Sequence, residues 1–122
     1  MYNVIVADDE KNIREGIVEL IEWEKLGCKV CASMQNGAQV LKYLEEEKIH
    51  VDIIITDIKM PIMDGMELIG MLNERFPDIK VIILTAYSDF TYAQQAIKFQ
   101  VSDFVVKNDF FLELPRAVKK NN

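Results

Sequence analysis

The sequence has 122 residues, of which 20 are acidic and 14 basic, and its formal net charge is −6. This length predicts one domain with a full hydrophobic core. The acidic balance argues against direct nucleic-acid binding by this segment, because neutralising phosphates requires clustered Lys and Arg. No apolar run approaches the ~20 residues that span a bilayer, and residues 1–9 lack the basic start of a signal peptide. We therefore expect a soluble, cytoplasmic protein without a membrane segment.

The two cysteines, Cys28 and Cys31, have the spacing of a C-x-x-C motif. A second cysteine pair is lacking and His50 is the single histidine, so one chain cannot build a closed four-ligand zinc site. The context of a redox motif is also missing. We expect two reduced thiols at the start of a strand.

The first part of the chain predicts two strands separated by a helix. An apolar run over residues 3–7 indicates a first strand, which ends at the acidic residues 8–10. Apolar residues at helical spacing follow over residues 11–23, and Gly27 provides a stop. A second, shorter strand is expected near residues 29–32.

The middle of the chain predicts a second helix, a third strand and a third helix. A turn at residues 36–37 precedes a helical pattern that reaches the charged run over residues 45–48. The β-branched, apolar run over residues 52–56 predicts a buried strand that leads to Asp57. Residues 65–75 then have helical periodicity. Asp57 is therefore expected at the C-terminal end of a strand.

The last part predicts two more strands and two more helices. The strands are expected over residues 80–84 and 103–106, with a helix over residues 89–99 between them. The final helix should lie within residues 110–120. Pro115 would remove a hydrogen bond from its interior, so we expect this helix to start late or to bend.

These elements give five β-α units in succession. Their strands are almost continuously apolar, which is typical of a parallel sheet covered by helices on both faces with right-handed crossovers. The predicted fold is a flavodoxin-like (βα)5, doubly wound sheet with the strand order 2-1-3-4-5. In such sheets, ligands collect outside the carboxyl ends of the strands, near the switch point between the first and third strands.

Polar side chains follow four of the predicted strands at this edge: Asp8 and Asp9, Asp57, Thr85 and Lys107. Each alone has a simpler explanation as a helix cap, an ordinary strand residue or a solvated lysine. Three clustered carboxylates would raise one another's pKa unless a cation neutralised them, and Mg²⁺ prefers such oxygen ligands. The Thr85 hydroxyl and the Lys107 charge suit a phosphoryl group beside the metal.

The same motifs resemble the response-regulator receiver domain of two-component signalling, over essentially the whole of residues 1–122. The matching stretches are Asp8-Asp9, Asp57-Ile58-Lys59-Met60-Pro61, Asp64-Gly65, Thr85-Ala86 and Lys107. More narrowly, residues 13–16, 36–37 and 87–93 resemble receivers of regulators that carry an AraC-type helix-turn-helix. The resemblance implies a signalling domain rather than an enzyme with a substrate of its own.

The resemblance implies that Asp57 accepts a phosphoryl group from the phosphohistidine of a sensor histidine kinase. It also implies that Asp9, Asp57 and the backbone carbonyl of Lys59 hold Mg²⁺, with Asp8 acting through water. Phosphoryl transfer of this kind is largely a matter of positioning and charge neutralisation, so Asp57 needs no general base. Transfer to Asp57 and its reversal would be the only reactions that the domain catalyses.

The phosphoryl oxygens would be held by Lys107, Thr85 and the Ala86 N–H. When Thr85 moves inward, the space that it leaves can admit the ring of Phe104. This repacking would change the surface of the fourth helix, fifth strand and fifth helix and promote homodimerisation. The expected output is transcription, through a C-terminal domain outside this sequence.

One position departs from the family pattern, in which proline usually follows the fifth-strand lysine, often after a cis peptide bond. Here Asn108 follows Lys107. A cis bond to a residue other than proline costs about 3 kcal/mol, so we expect a trans Lys107–Asn108 bond and an altered loop.

Three other functions fit parts of the pattern. A flavodoxin-type FMN carrier would need a Ser/Thr/Gly-rich phosphate loop where this chain has acidic residues 8–10. An Asp-nucleophile phosphatase would need a second acid beside Asp57, where Lys59 stands. The third alternative is a receiver fold that binds its partner without phosphorylation, which the changed segment over residues 108–115 makes possible.

Overall fold

A five-stranded parallel sheet forms the centre of the fold. The computed structural model describes residues 1–86, Thr91, Gln94 and 101–121. The strands are β1 (Tyr2–Ala7), β2 (Cys28–Met34), β3 (Ile53–Asp57), β4 (Lys80–Thr85) and β5 (Asp103–Val106). They pair in the order β2-β1-β3-β4-β5, and every pair is parallel. The predicted flavodoxin-like order is therefore confirmed.

Helices connect the strands and cover both faces of the sheet. They are α1 (Lys11–Leu20), α2 (Gly37–Glu46), α3 (Gly65–Arg75) and a C-terminal helix (Phe110–Lys120), with short 3-10 helices at Trp23–Leu26 and Lys107–Asp109. Thr91 and Gln94 are also helical, but most of the helix predicted over residues 89–99 and of the motif over residues 87–93 lies outside the described residues. In the described part of the chain, no helix combines the length and apolarity that crossing a membrane requires.

Two hydrophobic clusters lie on opposite faces of the sheet, because successive strand side chains point to opposite sides. On one face, α1 and the C-terminal helix contribute Ile17, Leu114, Ala117 and Val118 against Val4, Val6, Ile53, Ile55, Ile82 and Leu84. On the other, α2 and α3 contribute Val40, Leu41, Leu68, Ile69 and Leu72 against Ile5, Ala7, Ile54, Val81 and Ile83. Burial on both faces explains why the strands read as continuous apolar runs.

The two cysteines lie on β2 and face these two clusters separately. Cys28 is fully buried in the cluster beneath α1, whereas Cys31 packs, partly buried, against the cluster beneath α2 and α3. Both are thiols, as predicted. An odd separation along a strand sends two side chains to opposite faces, so this C-x-x-C spacing does not make a paired motif.

Helix α1 ends at Leu20 and not at Trp23, where the apolar periodicity placed its end. The backbone is extended at Ile21, and Trp23 opens a 3-10 helix. The Trp23 indole Nε1 donates a hydrogen bond to the Ile17 carbonyl oxygen at 3.1 Å. One of the last carbonyls of α1, which the helix itself leaves without a partner, is satisfied in this way. Trp23 is buried, so it contributed to the apolar pattern without being part of α1.

The C-terminal helix begins at Phe110 with Pro115 inside it, so the expected late start is wrong. Proline lacks the N–H that would donate to the Phe111 carbonyl four residues earlier. Phe111 is 58 % exposed, so the affected turn lies on the outer side of the helix, where the loss of one hydrogen bond is least costly. Among the described residues there is no cis peptide bond, and the trans Lys107–Asn108 bond that we predicted is confirmed.

The loop after β3 contains a backbone strain that a substitution can test. The Met63 N–H donates to the Pro61 carbonyl oxygen at 2.7 Å, which closes a three-residue turn around Ile62. Ile62 has a φ of 68° and is 84 % exposed, so a β-branched side chain occupies the left-handed region without burial in return. We expect Ile62→Gly to raise the free energy of unfolding by roughly 1 kcal/mol, measured by urea denaturation.

Gly27 provides the matched control, because its φ of 72° is similar and a Cβ there would meet no atom within 4 Å. Gly27→Ala introduces the left-handed strain alone and should lower the free energy of unfolding by about 1 kcal/mol. Shifts of the same sign in the two variants would contradict the assignment of strain to Ile62.

Candidate functional site

Asp57 is the last residue of β3 and is buried at the carboxyl edge of the sheet. The Ile58 N–H donates to its Oδ1 at 2.8 Å, which fixes the orientation of the carboxylate. The chain then returns to begin α3, where the Gly65 N–H donates to the Ile58 carbonyl oxygen at 2.7 Å. A Cβ on Gly65 would overlap the Asp57 carbonyl oxygen and lie 2.9 Å from the Ile58 Cα. Glycine is therefore required for this close return of the chain.

Asp8 follows β1 and is fully buried, whereas its neighbours Asp9 and Glu10 are exposed. The Glu10 N–H donates to Asp8 Oδ1 at 2.9 Å. The Arg14 guanidinium on α1 donates to the Asp8 backbone carbonyl oxygen at 2.6 Å and holds the loop down. Since β1 and β3 are adjacent, Asp8 and Asp57 meet at the predicted edge of the sheet.

The Lys107 ammonium joins three carboxylates. Its Nζ lies 2.8 Å from Asp57 Oδ2, 3.0 Å from Asp8 Oδ2 and 2.9 Å from Glu10 Oε1. Lys107 directly follows β5 and is only 8 % exposed, so its side chain crosses the edge of the sheet beneath the surface. The structure thus brings the ends of β1, β3 and β5 together and adds Glu10 to the group.

The burial of this cluster changes the acidity of its members. Burial raises the pKa of Asp57 to about 6, although the hydrogen bond from Lys107 opposes the shift. Burial also raises the pKa of Asp8, against the Glu10 N–H and the Lys107 charge. For Lys107, burial lowers the pKa, but hydrogen bonds to Asp57 and Glu10 outweigh it and the pKa lies above its ordinary value. The raised pKa values of the two acids and of the lysine are compatible. One ammonium shared by three carboxylates cannot fully offset the burial of each acid, whereas several carboxylates together outweigh the burial of the one ammonium.

The raised pKa of Asp57 predicts how the stability of the metal-free protein depends on pH. Folded Asp57 binds a proton more tightly than the unfolded residue, whose pKa is about 3.9. The resulting stability is complete below about pH 4 and is lost as the pH rises through about 6. From pH 8 to pH 5, we therefore expect the free energy of unfolding to rise by about 1 kcal/mol more in the native protein than in Asp57→Asn. Urea unfolding in the presence of a chelator measures this difference in the free energy of unfolding. Parallel pH profiles of the native protein and Asp57→Asn would contradict the prediction.

Four carboxylate side chains at this edge of the sheet are placed where they could bind a metal ion. Single carboxylate oxygens of Asp8, Asp9, Glu10 and Asp57 all lie within 4.8 Å of one another. Asp8 Oδ2 is buried without a directed hydrogen bond from the described residues, although it is in ion-pair contact with Lys107. A buried carboxylate oxygen of this kind can ligate a cation, and an all-oxygen set suits a hard ion such as Mg²⁺. These residues therefore fit a divalent metal.

Three other residues were predicted to take part in the site, namely Thr85, Phe104 and Lys59. Thr85 ends β4 and is buried, with its hydroxyl donating to the Ala86 carbonyl oxygen at 3.0 Å. Phe104 lies on β5 and packs, partly buried, against the cluster beneath α2 and α3. Lys59 follows Asp57 by two positions and is exposed. The role of the Lys59 backbone carbonyl in metal binding stays a prediction.

Sequence reasoning did not assign Glu10 or Arg14 to the site. Glu10 is the third of three consecutive acidic residues after β1, and that run was the available signal. Arg14 had none, because its contact is with the backbone of Asp8 and depends on the direction in which α1 leaves the sheet.

This chain is similar to the receiver domains of response regulators. A family model described as a response regulator receiver domain matches residues 4–119. The REC domain of AraT, a response regulator from Geobacillus stearothermophilus, is 37% identical with a TM-score of 0.85, over 98% of this chain and 93% of that chain. A two-component transcriptional regulator AraC from Clostridium phytofermentans is 30% identical with a TM-score of 0.85, over 99% of this chain and 92% of that chain.

Similar curated proteins are longer than this chain. The transcriptional regulatory protein YesN of Bacillus subtilis, itself uncharacterised, is 38% identical over 107 residues, which are 88% of this chain and 28% of YesN. The transcriptional regulatory protein HptR of Staphylococcus aureus is 32% identical over 88% of this chain and 41% of HptR. The chain thus matches well under half the length of these two relatives.

Proposed function

Since the chain belongs to the response regulator receiver domain family, we propose that Asp57 is its phosphoacceptor and that residues 1–122 form one receiver domain. The observation that carries this proposal is the buried pair of Asp57 Oδ2 and Lys107 Nζ, 2.8 Å apart within a carboxylate cluster. A sensor histidine kinase would supply the phosphoryl group. An Asp57 carboxylate oxygen would attack phosphorus, the phosphorus–nitrogen bond would break, and the imidazole would leave.

The other residues of the site position the reacting groups and neutralise their charge. Mg²⁺, held by Asp9, Asp57 and the Lys59 carbonyl with Asp8 acting through water, would withdraw charge from the phosphoryl oxygens. Lys107 would leave its contact with Asp57 for a phosphoryl oxygen, and the Thr85 hydroxyl would turn from the Ala86 carbonyl toward another. The domain would act on its own Asp57 only, releasing the dephosphorylated donor on transfer and phosphate when water hydrolyses the aspartyl phosphate.

Phosphorylation would be transmitted through Thr85 and Phe104. Turning of the Thr85 side chain leaves space at the end of β4, and the partly buried Phe104 ring on the neighbouring β5 can enter it. This would alter the face formed by β5 and the C-terminal helix and promote homodimerisation. Control of transcription would follow through a DNA-binding region outside residues 1–122, since the matched relatives are transcriptional regulators of greater length.

The direct test is intact-mass spectrometry after incubation with Mg²⁺ and acetyl phosphate, a small phosphodonor. We expect one phosphoryl adduct that requires Mg²⁺ and is lost in Asp57→Ala. Asp103→Ala is a matched control, because this carboxylate lies at the opposite end of β5 from Lys107, and its adduct should match the native one. A folded native protein that forms no adduct with Mg²⁺ would refute the proposal and favour a phosphorylation-independent binding module.

A further inference from the structure

We propose that Glu10 is a positioning residue that restrains Lys107 and thereby weakens the hold of the site on a phosphoryl group. This inference rests on the proposed function, because it concerns the same Lys107 ammonium. It identifies Glu10 as a determinant of how readily the active state forms.

The restraint follows from the donors of Lys107. An ammonium has three N–H bonds, and the Lys107 Nζ already lies within 3.0 Å of three carboxylates. A phosphoryl oxygen can gain a short contact with Nζ only when one of these contacts is given up. Glu10 therefore belongs to the set of groups with which the phosphoryl group competes.

The three carboxylates do not respond to phosphorylation in the same way. Asp57 would lose its charge when one of its oxygens is bonded to phosphorus, and Asp8 would share its charge with the metal that it contacts through water. Glu10 is not among the proposed Mg²⁺ ligands, so it would keep its full charge, and its side chain is 61 % exposed, so it can follow the ammonium. Among these three, Glu10 is thus the anion that continues to oppose the transfer of Lys107 to the phosphoryl group.

The position of Glu10 in α1 supports a role outside the helix. Glu10 is the N-cap residue of α1, a place where the short side chains of Ser, Thr, Asp and Asn accept a hydrogen bond from the first turn. In the described structure the Glu10 side chain makes no such bond and reaches 2.9 Å from Lys107 instead. Its carboxylate is therefore used for the ammonium and not for the helix.

The test measures how tightly beryllium trifluoride, a non-covalent mimic of the phosphoryl group, binds at saturating Mg²⁺. The apparent Kd is taken from thermal-shift titrations of the native protein and of Glu10→Gln. Removing the charge should tighten binding about threefold to fivefold, the range of one partly exposed ion pair. Glu15→Gln is the matched control on the same helix, because Glu15 is exposed and its pairing with Lys11 is loose at 3.9 Å. The Kd of Glu15→Gln should equal that of the native protein.

A second variant separates restraint of Lys107 from simple repulsion of the anion. Glu10→Asp keeps the negative charge but shortens the side chain by one methylene, so it withdraws from Nζ. If Glu10 acts through Lys107, Glu10→Asp should tighten binding as Glu10→Gln does. Native-like binding by Glu10→Asp, or no tightening by Glu10→Gln, would overturn the inference while leaving the proposed function intact. If the native protein bound no beryllium trifluoride, the proposed function would fail and the inference with it.

Discussion

Replacement of Lys107 by methionine is expected to slow the phosphorylation of Asp57 by acetyl phosphate about 100-fold or more. Lys107 is the only cation among the described residues within 3.0 Å of Asp57, and burial strengthens its interaction with charge that develops there. Methionine is of similar length and can occupy the buried space of the Lys107 side chain without its charge. The initial rate of adduct formation at saturating Mg²⁺, followed by intact mass, measures the effect.

The same variant should bind Mg²⁺ about tenfold more tightly, because the ammonium no longer competes for Asp8 and Asp57. Isothermal titration calorimetry measures this second effect. The opposite signs separate loss of the charge from unfolding, which would weaken both properties. Lys120→Met is the control, since Lys120 is exposed and 3.8 Å from its partner Asp103. A phosphorylation rate of Lys107→Met within a few-fold of the native rate would contradict the role of Lys107.

Replacement of Gly65 by alanine is expected to lower the free energy of unfolding by about 3 kcal/mol or more. The added Cβ would overlap the Asp57 carbonyl oxygen, and neither backbone can move away easily. Asp57 belongs to a fully buried strand, and the Gly65 N–H is bonded to Ile58. The start of α3 would have to shift away from the site. Equilibrium urea denaturation measures the loss.

Gly16 is the control for this prediction, because it is also a glycine of a helix but has room for a Cβ. A Cβ on Gly16 would lie 3.6 Å from the Phe110 ring, an ordinary contact. Gly16→Ala should therefore raise stability by up to about 1 kcal/mol, as alanine does inside helices. A small loss in Gly65→Ala, comparable in size to the change in Gly16→Ala, would show that the loop after β3 adapts to the extra atom.

The sheet could be predicted from the sequence because parallel strands leave a simple pattern. The strand from Ile53 to Asp57 is buried on both faces, so three isoleucines follow one another before its polar end. The polar residues that end such runs must meet at one edge, so the sequence alone predicts that Asp8, Asp57 and Lys107 lie together. The assignment to the receiver family rested on the same residues and is confirmed.

Other features depended on tertiary contacts that spacing does not encode. The apolar periodicity of α1 continued to Trp23, yet the helix ends at Leu20 because the indole turns back to cap it. Pro115 was expected to disturb the C-terminal helix, but its cost depends on the side of the helix on which the affected turn lies. Glu10 has several rotatable bonds, and only the position of Lys107 shows that it points into the site.

The division of Cys28 and Cys31 between the two faces gives the chain a built-in pair of chemical reporters. A fully buried thiol reacts with an alkylating reagent only when its surroundings open, and different parts of a fold open with different free energies. Cys28 is fully buried beneath α1 and the C-terminal helix, whereas Cys31 is partly buried beside α2 and α3. The alkylation rate of Cys28 therefore follows the opening of its layer without any engineered label, and Cys31 is the internal reference for a thiol that is already in part accessible.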